Sequence, residues 1–405
     1  MAAFVIHQFR IMPKNKPPVP RKPSTFVEPD IDALAQVLAD LALAALNGAA
    51  ANVDEMNKVL RQALRKKQDE VLYGAIELAR FTDPDACRLL RSAIEESAAT
   101  LQVRKEGAPD REVDAFMVPL FVRSQGGLVA AEGFQDDAAF AALIDSFKAA
   151  GLESDKAKVV LMRHAYSLDE IDHIAFGDLH DMLREAAASM LDKKIAPTPA
   201  LERSMQGGGA TSFAPGDEAL QLRFLLGFAL KRADDPFYQV PHDEPAADAW
   251  FDARTARYQA WTVTAAPLVA SCLAAEPARL AVNFLYQDLF YGAKEQGAAE
   301  MAMLATLSDI DAALQSAGCN AAAARAVTAP VDGGDAIVLR VALYRDNVAA
   351  PFATIDKPVD LSADLSAEMD ELCDALASIG LAGVAIADGF NADGTPQGAA
   401  PFVPA

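Results

Sequence analysis

Three of the five histidines in this 405-residue chain lie in the segment 164–181, which reads HAYSLDEIDHIAFGDLHD. Imidazole and carboxylate groups bind transition-metal ions and exchange protons near neutral pH. Asp169, His173 and His180 are therefore candidate metal ligands. The same residue types also occur on the water-facing side of helices, and a solvated helix face is the alternative interpretation of the segment.

The positions of these side chains depend on the helix that carries them. The hydrophobic spacing predicts one helix over 168–186, with His173 and His180 two turns apart on its polar face and Asp169 one turn before His173. Zinc ligands lie about 2 Å from the ion, whereas positions seven apart on a helix differ by about 10 Å along its axis. We therefore expect Asp169 and His173 to be able to share an ion that His180 does not reach.

His180 and Asp181 resemble the consecutive His-Asp pair of metal-dependent phosphohydrolases. That resemblance implies further histidines and aspartates on other helices, and the chain has no matching set. Other motifs are incomplete as well, since QGGGATS at 206–212 lacks the P-loop lysine and no G-x-S-x-G turn or C-x-x-C pair is present. We predict no cofactor and assign no catalytic residue.

Two arginines lie at matching positions of two similar stretches, FALKRADDPF and VALYRDNVAAPF. Arg232 and Arg345 are candidates for binding an anion or an interface partner at equivalent places in two repeated units. Asp234, Asp235 and Asp346 follow closely in the chain, so surface ion pairs are the alternative.

Residues 1–30 differ in composition from the rest of the chain. The tip AAFVIHQFRI is typical of a strand, and the following MPKNKPPVPRKPSTFVEPD is rich in proline, which favours extended backbone. The segment has five basic and two acidic side chains, a net charge of +3, which leaves −24 on the remainder. We predict an arm, residues 1–29, that contacts a neighbouring subunit, with a disordered tail as the alternative. The arm residues expected to make these contacts are Phe4, Ile6, Phe9, Arg10, Ile11, Lys14, Lys16, Arg21 and Lys22.

After the arm, capping residues and apolar periodicity predict a helical region over 30–103. A first α+β unit follows at 104–196, then a glycine- and proline-rich linker at 197–217 and duplicated strand–helix–strand units at 218–405. Pro119 places its strand at a sheet edge or a bulge, because proline donates no backbone hydrogen bond. The predicted class is α+β, with a helical N-terminal region followed by repeated β-α-β units that form mixed sheets.

The composition disfavours several classes of function. A formal charge of −21 and a pI near 4.6 repel nucleic-acid phosphates and anionic lipids. No stretch reaches ~18 uninterrupted apolar residues, so no membrane insertion is expected, and the first residues lack the pattern of a secretory signal. Four dispersed cysteines are typical of reduced thiols in a reducing compartment. We expect a cytoplasmic protein.

The stretches LRVALYRD and GLAGVAIADGF resemble an uncharacterised conserved bacterial family of unknown function, over less than a tenth of the chain. The resemblance implies a strand–helix–strand order and no activity. From the residues we predict a non-enzymatic, self-associating structural or scaffold protein of the bacterial cytoplasm. Its expected partner is a second copy of itself, bridged by the N-terminal arm. The alternative is a metal-dependent hydrolase with its site near Asp169 and His173.

Overall fold

A computed structural model shows helices first along the chain and two main sheets after them, which confirms the predicted α+β class. No helix in the described ranges is long and apolar enough to cross a lipid bilayer. The structure describes residues 31–48, 50–104, 109–124, 134, 136–191, 219–274, 276–286, 289–333, 337–345, 348, 350–359, 364–381, 383–391 and 394–398.

Four helices form the N-terminal region. They are α1 (Ile31–Leu46), α2 (Ala50–Arg65), α3 (Asp69–Thr82) and α4 (Pro84–Ala99). Asp83 begins α4 by accepting hydrogen bonds from the backbone N–H groups of Asp85 and Ala86, at 2.8 and 3.0 Å. Pro84 occupies the first helical position, where no N–H donor is needed. The further α-helices of the described residues are α5 (Asp137–Ala149), α6 (Leu168–Asp172), α7 (Phe176–Leu191), α8 (Glu244–Leu273), α9 (Phe290–Ser316) and α10 (Leu365–Ser378).

The first sheet is antiparallel at every described pairing. Its strands are β1 (Thr100–Val103), β2 (Arg111–Ser124), β3 (Lys158–Tyr166), β4 (Ala219–Arg232) and β5 (Leu280–Phe284). β2 and β4 pair over their full 14 residues at the centre. β3 lies beyond β4, and β1 and β5 share the other side of β2.

Pro119 lies inside this sheet with a continuous register to β4, so the expected edge or bulge is wrong. Its backbone carbonyl accepts from the N–H of Leu285 at 2.9 Å, which puts the side of its missing donor next to β5. There β1 pairs with 111–114 and β5 with 120–124, so Pro119 falls between the two partner strands. The interior proline is tolerated because no neighbouring strand needs its N–H.

Two strand–helix–strand connections interleave in the first sheet. α5 joins β2 to β3, and α8 joins β4 to β5. Because β2 and β3 both run antiparallel to β4, they are parallel to each other with β4 between them. β4 and β5 are related in the same way across β2. Residues before and after the predicted linker therefore build one sheet, and the linker itself, 197–217, lies outside the described residues.

Helices cover both faces of the first sheet. Side chains alternate along β4, so Phe224 and Phe228 are fully buried in one core with α1–α4, α7 and the start of α9, while Leu225 lies in a second core with α5 and α8. In the second core, the indole N–H of Trp261 donates to the hydroxyl of Ser146 at 2.8 Å. Neither face of the central strands is left to water.

The second sheet is mixed and has the order β8–β7–β6–β9. Its strands are β6 (Ala324–Asp332), β7 (Ile337–Arg345), β8 (Ala353–Pro358) and β9 (Gly383–Ile386). β9 runs parallel to β6, and the other neighbours are antiparallel. A short hairpin of β10 (Gly389–Phe390) and β11 (Pro396–Gln397) follows β9.

One face of the second sheet is better covered than the other. α10 and the last turns of α9, through Ile310 and Leu314, form a core on the first face. The other face has a smaller cluster that includes Val327 and Tyr344. α9 begins in a core of the first sheet and ends in that of the second, so one continuous helix contributes to both.

Candidate functional site

The histidine segment forms two helices, so the single helix predicted over 168–186 is wrong. α6 ends at Asp172 and α7 begins at Phe176. A distant helix caps the start of α7, where the backbone N–H of Gly177 donates to Asp69 Oδ1 on α3 at 2.8 Å. Asp69 lies outside the histidine segment, and it satisfies a backbone N–H in the first turn of α7, at a point where the sequence pattern predicts one continuous helix.

The break separates His180 on α7 from the other two candidate metal ligands, Asp169 and His173, which both lie at α6. His173 is exposed at the end of α6, where its Nδ1 lies 2.5 Å from the backbone carbonyl of Asp169. His180 is buried, with 6 % exposure, and does not lie on a polar face. Its burial lowers its pKa, and the charges of Arg184 and Arg65 act in the same direction. Within the described ranges, no three histidine, cysteine, aspartate or glutamate residues are grouped so that they could hold a metal ion.

His164 takes part in a different polar group beside α6. Its Nε2 lies 3.2 Å from Glu170 Oε1, and Glu170 also accepts from the backbone N–H of Ser167 at 2.7 Å in a capping box. The buried Arg223 of β4 donates to Gln221 at 2.6 Å and lies 4.0 Å from Glu170 Oε2. Burial opposes the charge on Glu170, but hydrogen bonds from His164 and Ser167 outweigh it and lower the pKa of Glu170. The group connects α6 to the first sheet.

A second polar group lies where β2 begins and β4 ends. Lys231 forms ion pairs with Asp114 and, at 3.3 Å, with Glu112, and its Nζ lies 4.9 Å from the ring centroid of Tyr238. Burial raises the pKa of Asp114, and the charge of Lys231 offsets only part of this. Burial also opposes the charge on Lys231, but the two carboxylates together raise its pKa. No sequence motif predicts this group, because its members are about a hundred residues apart.

Tyr238 extends the group to the loop before β3. Its hydroxyl donates to Glu153 Oε2 at 2.6 Å and accepts from the backbone N–H of Ser154 at 3.1 Å. Burial raises the pKa of Glu153, and the hydrogen bond from Tyr238 opposes this. Carboxyl groups with raised pKa can hold a proton near neutral pH, as general acids must. Here Glu112 and Asp114 pair with Lys231 and Glu153 accepts from Tyr238, so each carboxyl has a partner within the fold.

Arg232 and Arg345 lie in different sheets, at the ends of β4 and β7. Arg232 Nε and Nη2 donate to the two carboxylate oxygens of Asp234 at 2.8 and 2.7 Å. The pair raises the pKa of Arg232 and lowers that of Asp234. Arg345 Nη2 donates to the carbonyl of Ala317, after the end of α9, at 2.5 Å. Both guanidinium groups therefore bond to their own chain.

β9 is an open edge of the second sheet, since among the described residues it pairs with β6 alone. Its residues, Gly383–Ile386, include no charge and no proline, and Ile386 is 55 % exposed. The opposite edge strand, β8, contains Asp356 and Pro358, which are residues that discourage pairing with another strand. β9 has neither a charged residue nor a proline, so its residue types do not discourage pairing with an additional strand.

The chain around β9 is acidic. Residues 359–405 contain eight acidic residues and no lysine, arginine or histidine. Three of the eight, Asp370, Glu371 and Asp374, are exposed on α10, which contacts β9. A segment that pairs with β9 therefore meets a surface that attracts basic residues.

Neither the arm residues nor a comparison with known proteins gives a further assignment. The predicted arm residues, from Phe4 to Lys22, lie outside the described residues. No family model, no curated protein and no solved structure matches this chain. The geometry of the chain itself therefore carries the functional argument, which rests on β9 as an uncharged edge strand with one partner strand among the described residues.

Proposed function

We propose that this chain is a self-associating scaffold protein whose N-terminal arm, residues 1–29, adds a strand to the β9 edge of a neighbouring copy. The observation that carries the proposal is the uncharged, open β9 edge within a segment that has eight acidic and no basic residues. An open edge strand offers a row of backbone donors and acceptors to an extended peptide.

The sequence of the arm complements that edge in two ways. Its tip carries Phe4, Ile6 and Phe9, which are residues suited to a strand that covers apolar surface. The following residues carry four of the five basic charges of the arm, and the surface around β9 is acidic. Backbone pairing supplies affinity in such a contact, and complementary charge supplies orientation and speed of association.

We place this assembly in the bacterial cytoplasm. Cys87, Cys272, Cys319 and Cys373 all lie in the described ranges, and none forms a disulfide. Unpaired and widely separated thiols suit a reducing compartment.

The first test compares the full chain with a variant that lacks residues 2–29. We expect multi-angle light scattering to show an assembly for the full chain and a single copy for the truncated one. Circular dichroism should be unchanged, because the sheets and helices described above lie outside the arm. An equal particle mass for both proteins would contradict the proposal.

The second test keeps the arm and blocks the edge. Ile386→Lys places a charge on the exposed part of β9, and we expect it to reduce the particle mass as the truncation does. Thr354→Lys is the matched control, because Thr354 is exposed on β8, the opposite edge of the same sheet. Loss of assembly in both variants, or in neither, would show that β9 is not the contact.

A further inference from the structure

The first turns of α8 extend beyond the helix layer that covers the first sheet. Residues 244–253 are exposed apart from Ala247 and Trp250, which are intermediate, and the first fully buried residue of the helix is Tyr258. This part of α8 nevertheless has two aromatic side chains. Phe251 is 50 % exposed, and its ring lies 5.1 Å from that of Trp250 in an edge-on arrangement. The pair is an aromatic surface without a described partner layer.

The same surface is acidic. Helical spacing places Glu244 and Asp248 on the face of Phe251, and all three are exposed. Residues 233–253 contain six acidic residues and no lysine or arginine. An aromatic platform beside carboxylates is the chemistry that receives a proline-rich segment with flanking basic residues, because proline rings stack on aromatic side chains and the cations pair with the acids.

We propose that this surface, formed by Trp250, Phe251, Glu244 and Asp248, binds the proline-rich segment 12–23 of a neighbouring chain. That segment, MPKNKPPVPRKP, has five prolines, four basic residues and no acidic residue. The polyproline conformation is extended before binding, so little conformational entropy is lost when it docks. The inference rests on the proposed function in one respect, that the arm is the ligand, but it assigns a different part of the arm to a different surface.

The layer order of the fold favours a neighbouring chain over the same chain. The arm continues directly into α1, which lies on one face of the first sheet, whereas α8 lies on the opposite face. An arm that docks on its own α8 has to pass around an edge of the sheet. The arm of a neighbour has no such restriction, so the Pro-rich segment and the strand-like tip can hold two copies together.

The chain has two tryptophans, and this allows a direct test. Trp261 is 1 % exposed and Trp250 is only partly buried, so quenching of tryptophan fluorescence by acrylamide reports on Trp250. In the full-length protein we expect the triple variant Pro17→Ala, Pro18→Ala, Pro20→Ala to increase quenching relative to the wild type. Adding a synthetic peptide of residues 12–23 to the variant should restore the protection.

Two further substitutions locate the contact. Phe251→Ala in the triple variant should abolish restoration by the peptide, whereas Val263→Ala should not, since Val263 is exposed on the same helix outside the surface. Equal quenching of the wild type and the triple variant, or peptide protection that survives Phe251→Ala, would overturn the inference. If light scattering shows assembly while quenching is unchanged, this inference fails and the proposed function stands. If the full chain is a single copy yet the peptide protects Trp250, the surface binds this segment but not that of a neighbouring chain, so both the proposed function and the assignment to a neighbour are overturned.

Discussion

The two main sheets differ in how much of their surface the chain itself covers. Helices lie on both faces of the first sheet, and the aromatic side chains of its central strand are fully buried. The second sheet has helices on one face and a smaller cluster on the other. The difference in cover predicts that the first sheet contributes more to the stability of the fold than the second does.

The largest expected loss of stability follows from a substitution that creates a cavity in the core of the first sheet. Phe228→Ala removes a fully buried ring, and we expect it to lower the free energy of unfolding by about 3–5 kcal/mol. Val118→Ala in β2 and Val327→Ala in the smaller cluster of the second sheet form a matched pair, because each removes two fully buried carbon atoms; each should cost about 1–2 kcal/mol, with the larger loss at Val118. Urea denaturation measures these values. Equal losses for the two valine variants would contradict the difference in cover between the two sheets.

An intermediate effect is expected in the second sheet at Lys357 of β8. Its side chain is 2 % exposed and its ammonium group is bonded to Glu368 on α10. Lys357→Met leaves Glu368 without this partner, and we expect the free energy of unfolding to fall by about 1–3 kcal/mol. The double variant with Glu368→Leu should recover part of the loss, because neither charge then remains. A single variant as stable as the wild type would show that the pair contributes nothing net.

The smallest expected effect is a pH dependence at the end of the first sheet. Burial raises the pKa of Glu153 in the folded state. The resulting stabilisation is complete below the unfolded pKa of about 4.3 and is lost as the pH rises through the folded value. Glu153→Gln keeps an acceptor for the Tyr238 hydroxyl and removes the titration. Urea denaturation on both sides of this window should show a larger fall in stability with rising pH for the wild type than for the variant, and parallel curves would contradict the role of Glu153.

The sequence predicts local structure here better than long-range pairing. Asp83 and Pro84 begin a helix as their types require, and the α+β class follows from apolar periodicity. The interior position of Pro119 was not predictable, because it depends on where β1 and β5 end along β2. Those ends are set by residues far away in the chain.

The candidate sites show the same limit. The start of α7 is capped by Asp69, which lies on another helix and has no signal within the histidine segment. The group of Asp114, Glu153 and Lys231 forms only when three distant segments meet. The open edge of β9 was partly predictable, since the uncharged stretch GVAI in an acidic tail is visible in the sequence, but its place at the end of a sheet is not.

The pairing of β2 with β5 has a consequence for how the protein is made. Ser124 pairs with Leu280, which follows it by 156 positions, so this part of the first sheet cannot close until that much more chain has left the ribosome. At a synthesis rate of roughly 5–20 residues per second, β2 waits about 10–30 s for its last partner. During that interval its apolar residues are open to other nascent chains. We therefore expect the yield of folded protein in cells to depend on chaperones and on translation speed more than its final stability would indicate.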